Sequence, residues 1–167
     1  MIAVLVGYLG EQPVPFGLLA LALAGFLIVG ARLSVIDWRS HRLPDRIVLP
    51  SYPAALVVLG TAGAGAGDWD RVLGMLAGGA VLWLAFAALH LLYRQGLGFG
   101  DVKLAGLLGL YLGFAGWAQV WWGPFLALVL GGVWSVVLVA AGRATLRSSF
   151  AFGPFLIAGA ALALAVP

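Results

Sequence analysis

The segment VPFGLLALALAGFLIVGARLSV, residues 14–35, contains one charged side chain, Arg32, among 22 consecutive residues. As a helix it would extend roughly 30 Å at about 1.5 Å per residue, which is about the thickness of the hydrocarbon core of a bilayer. Five further apolar segments follow, near residues 47–65, 72–93, 102–122, 124–141 and 150–166. They lack the alternating pattern of barrel strands, so the sequence predicts an all-α integral membrane protein with about six transmembrane helices.

The composition of the whole chain excludes a water-soluble domain. Of its 167 residues, 63% are hydrophobic and 9% are charged, and the mean hydropathy is +1.11. The net charge of +3 comes from basic residues spread among short loops, which does not indicate a nucleic-acid partner. The chain has no cysteine, which excludes disulfides, cysteine-ligated zinc and thiol nucleophiles. We therefore expect a single polytopic membrane domain over residues 1–167.

The basic residues predict the orientation of the chain. With six spans, the segments 32–46, 94–103 and 143–147 lie on one side and hold eight of the nine basic residues, leaving only Arg71 opposite. The positive-inside rule makes that side cytoplasmic and puts both termini outside. Residues 1–13 do not fit the pattern of a cleaved signal peptide, so we expect an ordered or interfacial leader to the first span.

Two carboxylates lie at that cytoplasmic edge. The first predicted span ends at Asp37 and the fourth begins at Asp101, while the second and third spans return the chain to the same side. Ionisable groups near membrane depth are costly and are often functional when they face the interior of a bundle. Two structural alternatives stay open: Asp101 as a helix N-cap, and Asp37 in an interfacial ion pair with Arg39, Arg42 or Arg46.

The residues flanking both acids are distinctive. Asp101 lies in GLGFGDVKL, residues 96–104, where alternating glycines are interpreted as allowing unusual backbone conformations and close approach of a substrate main chain. Asp37 lies in IDWRSHRLPD, residues 36–45, where Pro44 is predicted to stop the first helix and to fix a compact loop.

These two stretches, together with FGPF at residues 152–155, resemble the type IV prepilin peptidase family, a group of GxGD intramembrane aspartyl proteases. The similarity extends over residues 36–158. It implies that Asp37 and Asp101 are the catalytic pair, with no metal and no cofactor. The resemblance also implies motif or site-shaping roles for Pro44, Asp45, Gly98, Gly100, Lys103, Gly153 and Pro154.

The resemblance implies an aspartic endopeptidase that removes the short basic leader from prepilin or pseudopilin precursors, for type IV pilus or type II secretion systems. It implies the cytoplasmic face of a prokaryotic inner membrane, contact with membrane lipid, and leaves open a homo-oligomer. Many members carry an amino-terminal region with paired CxxC motifs associated with methylation. This chain resembles the shorter form, so methyltransferase activity is not expected. Lys103 is a candidate either to lower the pKa of a nearby carboxylate or to contact substrate.

Two other functional classes stay open, and the first of them would use the same two acids. One is a small proton or ion transporter, although such proteins need polar groups deep in their spans and these spans nearly lack them. The other is a non-catalytic partner in pilus or secretion assembly. His90 is predicted to be an interfacial or packed side chain rather than a proton carrier.

Small and cyclic residues predict how the helices pack. Gly74 with Gly78, and Gly109 with Gly113, have GxxxG spacing, which allows two helices to approach closely within one chain or between copies. Pro50 and Pro53 are expected to lie inside the second span and to kink it.

Overall fold

The computed structural model describes residues 1–9, 12–93, 97–142 and 151–166, and all regular structure in these ranges is helical. Four of the helices are long and apolar enough to cross a membrane. The prediction of an all-α membrane protein is therefore confirmed. The helices are α1 (Ile2–Tyr8), α2 (Pro13–Ser40), α3 (Asp45–Gly65), α4 (Trp69–Leu92), α5 (Phe99–Ala115), α6 (Trp117–Ala140) and α7 (Gly153–Ala165).

The predicted count of six spans is not confirmed, because two of the helices are short. The four long apolar helices are α2, α3, α4 and α6. Helix α5 has 17 residues and α7 has 13, which correspond to about 26 Å and 20 Å of helix. Neither length matches the roughly 30 Å of a bilayer core.

The predicted boundary between the fourth and fifth apolar segments is wrong. The chain breaks at Gly116, with φ 148° and ψ 166°, and Pro124 lies inside α6. Residues other than glycine rarely adopt this φ, so Gly116 determines where α5 ends. Apolar residues continue on both sides of the break, and for this reason hydropathy alone joined α5 to the first turns of α6.

Helix α5 forms the centre of the bundle. Its residues 104–114 are all buried, and it packs against α3, α4, α6 and α7. The longer helices around it shield a helix that is nearly uniformly apolar after its first turn. The first turn of α5, which carries Asp101, consequently lies at one end of the bundle between its neighbours.

The glycine pairs are packing residues, as predicted, and they join α4 to α5 within the chain. A Cβ atom on Gly78 would lie 2.7 Å from the carbonyl oxygen of Gly109, and one on Gly109 would lie 2.9 Å from Cα of Gly79. These separations leave no room for a side chain, so the two backbones are in direct contact. This contact fixes α5 along α4, the helix with which it shares its largest interface.

A short loop joins α2 to α3 at the end of the bundle that carries Asp37. Helix α2 ends at Ser40, and His41 follows in the left-handed conformation with φ 51°. Pro44 is the N-cap of α3. The predicted compact loop is confirmed, but the helix stop falls at His41 rather than at Pro44. Pro50 and Pro53 lie inside α3, as predicted.

The opposite end of the bundle contains Arg71 and the first helix. Arg71 pairs with Asp68 at 2.7 Å, and its Nη1 donates to the carbonyl oxygens of Phe114 and Ala115 at 3.3 Å. Arg71 therefore caps the carboxyl end of α5. The expected ordered leader is helix α1, which packs on α2. Arg94, Arg143 and Arg147, which were used to predict the orientation of the chain, and Gly96 of the glycine motif lie outside the described residues.

Candidate active site

Asp37 and Asp101 line one pocket of about 400 Å³. Asp37 comes from the last turn of α2 and Asp101 from the first turn of α5. The structure thus brings together two acids that are far apart in sequence. The other residues lining this pocket are His41, Arg42, Leu43, Asp45, Gly98, Phe99, Gly100 and Lys103.

Asp37 is buried against the start of α7. The residue is 5% exposed, and its Oδ2 accepts a hydrogen bond of 3.1 Å from the backbone N–H of Gly153. The first N–H groups of a helix have no partner within the helix, and they favour a negative charge. Among the described residues, Asp37 does not form the ion pair with a neighbouring arginine that the sequence left open. Its hydrogen-bond donor is the backbone N–H of Gly153.

Asp101 lies in the first turn of α5, outside the four long apolar helices. Burial raises the pKa of its carboxyl group to about 6; the nearby Asp37 also raises it, and a hydrogen bond with the Gly98 backbone partly opposes both effects. The N-cap alternative for Asp101 is wrong, because the N-cap of α5 is Gly98. Asp101 is instead the third residue of α5, and its carboxyl group lies in the pocket while it contacts the backbone of the N-cap residue Gly98.

Gly98 and Gly100, the two glycines before Asp101 that the structure describes, do not provide unusual backbone conformations. Gly98 has φ −70° and ψ 146°, which any residue adopts, and Gly100 is helical. That part of the prediction is wrong for these two glycines. Close approach of a substrate main chain stays a prediction; the close neighbour of Gly100 is Leu43, since a Cβ atom on Gly100 would lie 3.1 Å from Cβ of Leu43. Gly100 thus lets the loop after α2 pack directly on the first turn of α5.

Lys103 pairs with Asp45 across the mouth of the pocket. Its Nζ lies 2.8 Å from both carboxylate oxygens of Asp45, and 5.0 Å from the centre of the Phe99 ring. The charge of Lys103 is therefore matched by Asp45, the residue at the start of α3.

Gly153 and Pro154 form the first turn of α7, which adjoins the pocket through the contact of Gly153 with Asp37. A Cβ atom on Gly153 would lie 2.6 Å from Oδ2 of Asp37. Pro154 suits this position because the missing N–H would have no helical partner there. Both residues thus act on the site through the backbone.

Sequence reasoning missed Tyr52. Its hydroxyl donates a hydrogen bond of 2.6 Å from α3 to the carbonyl oxygen of Lys103, and Gly106 leaves room for the phenol. A single phenol between Pro50 and Pro53 was the only available signal. His90 is packed, as predicted, with Nδ1 2.7 Å from the carbonyl oxygen of Leu97.

The described residues contain no group of three or more His, Cys, Asp or Glu side chains that could hold a metal ion. What the pocket offers chemically is a pair of carboxyl groups in unlike environments. Asp37 accepts a backbone hydrogen bond from the start of α7, whereas Asp101 has its backbone hydrogen bond with Gly98 in its own helix start and keeps its proton to a higher pH than an ordinary aspartate. Such a pair can supply a base and an acid side by side.

Comparison with known proteins identifies a family. The sequence model of the type IV leader peptidase family matches residues 21–166. The chain is 37% identical over 152 residues to a prepilin leader peptidase/N-methyltransferase of Burkholderia pseudomallei (strain 1026b), covering 89% of this chain and 48% of that protein. It is 36% identical over 137 residues to a protein of the same name from Escherichia coli (strain K12), covering 79% and 57% respectively.

The chain spans about half the length of the curated relatives it matches. No solved structure was found to match it. The four long apolar helices and the family together indicate a protein of the bacterial inner membrane. Since the family match covers residues 21–166 and includes both Asp37 and Asp101, the chain belongs to the type IV leader peptidase family.

Proposed function

We propose that this chain is an aspartic endopeptidase that removes the short basic leader from prepilin or pseudopilin precursors at the cytoplasmic face of the membrane. The observation that carries this function is the single pocket lined by Asp37 and Asp101. The names of the relatives, prepilin leader peptidase/N-methyltransferase, indicate the class of substrate.

The two carboxyl groups take different parts in the proposed reaction. Asp37, with the Gly153 N–H donor at 3.1 Å, is the carboxylate that removes a proton from water, since charged acceptors gain most from such donors. Asp101 is the member that carries the proton, because burial raises its pKa. The water oxygen attacks the peptide carbonyl carbon while Asp101 protonates the carbonyl oxygen, giving a tetrahedral diol.

Collapse of the diol completes the cleavage. Asp37, now protonated, gives its proton to the leaving nitrogen as the carbon–nitrogen bond breaks, and Asp101 takes a proton from a diol hydroxyl. The products are a carboxylic acid and an amine, and both aspartates return to their starting state. Two interacting carboxyl groups titrate as a pair, which keeps a single proton available for this exchange.

The position of the pocket suits cleavage at the membrane edge. Helix α2 has 28 residues, or about 42 Å, so it is longer than the roughly 30 Å hydrocarbon core. Asp37 lies three residues before the end of this helix. Arg39 is exposed beside it and suits contact with anionic lipid headgroups, in agreement with a cytoplasmic orientation.

The distribution of buried polar groups disfavours a transporter. Among the described residues, Asp37 is the one charged or polar side chain classed as buried. A proton or ion path needs polar groups through the depth of the bundle, whereas both acids here lie at one end. A purely structural assembly partner would have no need of two carboxyl groups facing one pocket.

Co-expression with candidate precursors tests the function. The chain is produced with a panel of prepilin and pseudopilin precursors in cells that lack their own prepilin peptidase, and leader removal is read from the mass of each precursor. We expect cleavage by the wild-type chain for at least one precursor. A full panel left uncut by well-folded, membrane-inserted protein would favour a transporter or assembly partner instead.

A further inference from the structure

Lys103 contacts α3 through both its side chain and its backbone. Its side-chain Nζ is 2.8 Å from each carboxylate oxygen of Asp45, at the start of α3. Its backbone carbonyl oxygen accepts a hydrogen bond of 2.6 Å from the hydroxyl of Tyr52, about two turns further along α3. One residue of α5 is thus held to two points on the neighbouring helix.

This attachment adjoins both members of the candidate dyad. Asp101 is two residues before Lys103 in the first turn of α5, and Asp37 lies a short loop before α3. Leu43, in that loop, packs against Gly100. A Cβ atom on Gly100 would lie only 3.1 Å from Cβ of Leu43. The start of α3 and the start of α5 consequently fit together as one unit beside the pocket.

The side chain of Lys103 is already engaged. Its side chain is 21% exposed, compared with 55% for Asp45, and its ammonium group also lies 5.0 Å from the centre of the Phe99 ring. An ammonium group matched by a carboxylate and covered by an aromatic ring is poorly placed to bind substrate. These contacts suit a lysine that holds two segments together.

We propose that Lys103 and Asp45 are positioning residues, which together fix Asp101 relative to Asp37 by tying the start of α5 to the start of α3. The kinetic consequence of this role rests on the proposed peptidase function. The structural consequence does not, because the separation of the two segments can be measured without substrate.

A positioning role and a stabilising role predict effects of different size on the melting temperature and on kcat. Ion pairs with an exposed partner contribute little to folding, so loss of this pair should leave the melting temperature in detergent nearly unchanged. A displacement of about 1 Å in an active site, by contrast, lowers rates by about 100-fold. Lys103→Met and Asp45→Asn should therefore each lower kcat by about 10-fold to 100-fold, with KM changed less than about twofold.

A double-mutant cycle separates positioning from independent roles. If the two residues act through each other, the variant with both substitutions loses no more kcat than the more impaired single variant. Lys103→Arg, which retains a cation for Asp45, should recover most of the activity lost in Lys103→Met. Arg46→Met is the matched control, because it removes an exposed cation next to Asp45 in the same turn of α3.

A distance measurement tests the same role without catalysis. The chain has no cysteine, so Ser40→Cys and Leu97→Cys give two unique sites for spin labels, at the end of α2 and just before α5. In Lys103→Met and in Asp45→Asn, the distribution of distances between the labels should shift or broaden. It should stay unchanged in Arg46→Met.

Two results would overturn the positioning role. Losses of kcat that multiply in the double variant would mean that Lys103 and Asp45 act independently. A label distance that is the same in all variants would mean that the pair does not set the geometry of the site, whether or not the protein cleaves a precursor. If the wild-type chain cleaves no precursor while the distances change as expected, the proposed function fails and the positioning role stands.

Discussion

The backbone N–H of Gly153 lies 3.1 Å from Oδ2 of Asp37 and donates a hydrogen bond to it. This contact joins the start of α7 to the end of α2, and it leaves no space for a side chain at position 153, because a Cβ atom there would lie 2.6 Å from the same oxygen. Both the donor and the missing side chain therefore determine where the Asp37 carboxylate lies.

Replacement of Gly153 by alanine should displace that carboxylate. The added methyl group also meets Cγ of Asp37 at 3.2 Å and Leu104 at 3.6 Å, so the Asp37 side chain must move to make room for it. We expect Gly153→Ala to lower kcat by about 10-fold to 100-fold, as for other small displacements of catalytic groups. The measurement is the initial rate of precursor cleavage by purified protein.

Gly132→Ala is the control for this substitution. Gly132 lies in α6, and a Cβ atom there would meet nothing within 4 Å. Cleavage at the wild-type rate is expected for Gly132→Ala. Equal rates for Gly153→Ala and wild type would show that the contact between α7 and Asp37 is irrelevant to the reaction.

The pH dependence of stability should reveal the burial of Asp101. Its folded-state pKa is about 6, compared with an ordinary value of 3.8, so folding favours the protonated form. The stability this group contributes is fully present below about pH 3.8 and is lost as the pH rises through about 6. Asp101→Asn cannot ionise and avoids that loss, which amounts to about 1 to 3 kcal/mol.

Thermal unfolding in detergent at pH 4.5 and pH 7.5 checks this sign. The melting temperature of Asp101→Asn relative to wild type should be higher at pH 7.5 than at pH 4.5. Asp70→Asn, at the exposed start of α4, controls for loss of a surface charge far from the pocket. If the difference in melting temperature between Asp101→Asn and wild type is the same at both pH values, ionisation of Asp101 costs no more free energy in the folded protein than in the unfolded chain.

The contact between α4 and α5 should be sensitive to a single methyl group. A Cβ atom on Gly78 would lie 2.7 Å from both the Gly109 carbonyl oxygen and the Cα atom of Gly113. Backbone atoms cannot move aside as a side chain would, so Gly78→Ala should lower the free energy of unfolding by about 1 to 3 kcal/mol. The measurement is unfolding in mixed micelles of denaturing and mild detergent, with Gly132→Ala as the matched variant. Unchanged stability of Gly78→Ala would contradict the close packing.

Hydropathy and glycine spacing predicted the helical class and a packing role for the glycine pairs, because both depend on residues close together in sequence. That the two pairs meet each other between α4 and α5 was not predicted. The break at Gly116 was not predictable in the same way. A single glycine conformation, set within an uninterrupted apolar stretch, decides it. The lengths of α5 and α7 have the same origin, since an apolar segment can extend beyond the helix that it forms.

The residues of the candidate site were named from sequence, but the contacts between them were not predicted. Gly153 was expected to shape the wall, whereas its hydrogen bond with Asp37 joins residues 116 positions apart and depends on the arrangement of α2 and α7. Tyr52 was missed because a phenol in an apolar span gives no indication of its partner. Gly98 was assigned an unusual conformation that it does not adopt, since the sequence does not distinguish backbone freedom from close approach.

Mass analysis of one cleavable precursor incubated with purified wild-type, Asp37→Asn and Asp101→Asn protein tests the central claim most directly. Asparagine keeps the shape of each side chain and removes its ability to exchange a proton, so each single variant should be slower than wild type by about 100-fold to 10,000-fold, the usual contribution of general acid–base catalysis. The wild-type protein should release the leader at a single peptide bond. Cleavage by either variant at the wild-type rate would contradict the account, because a dyad that hydrolyses a peptide bond needs both carboxyl groups.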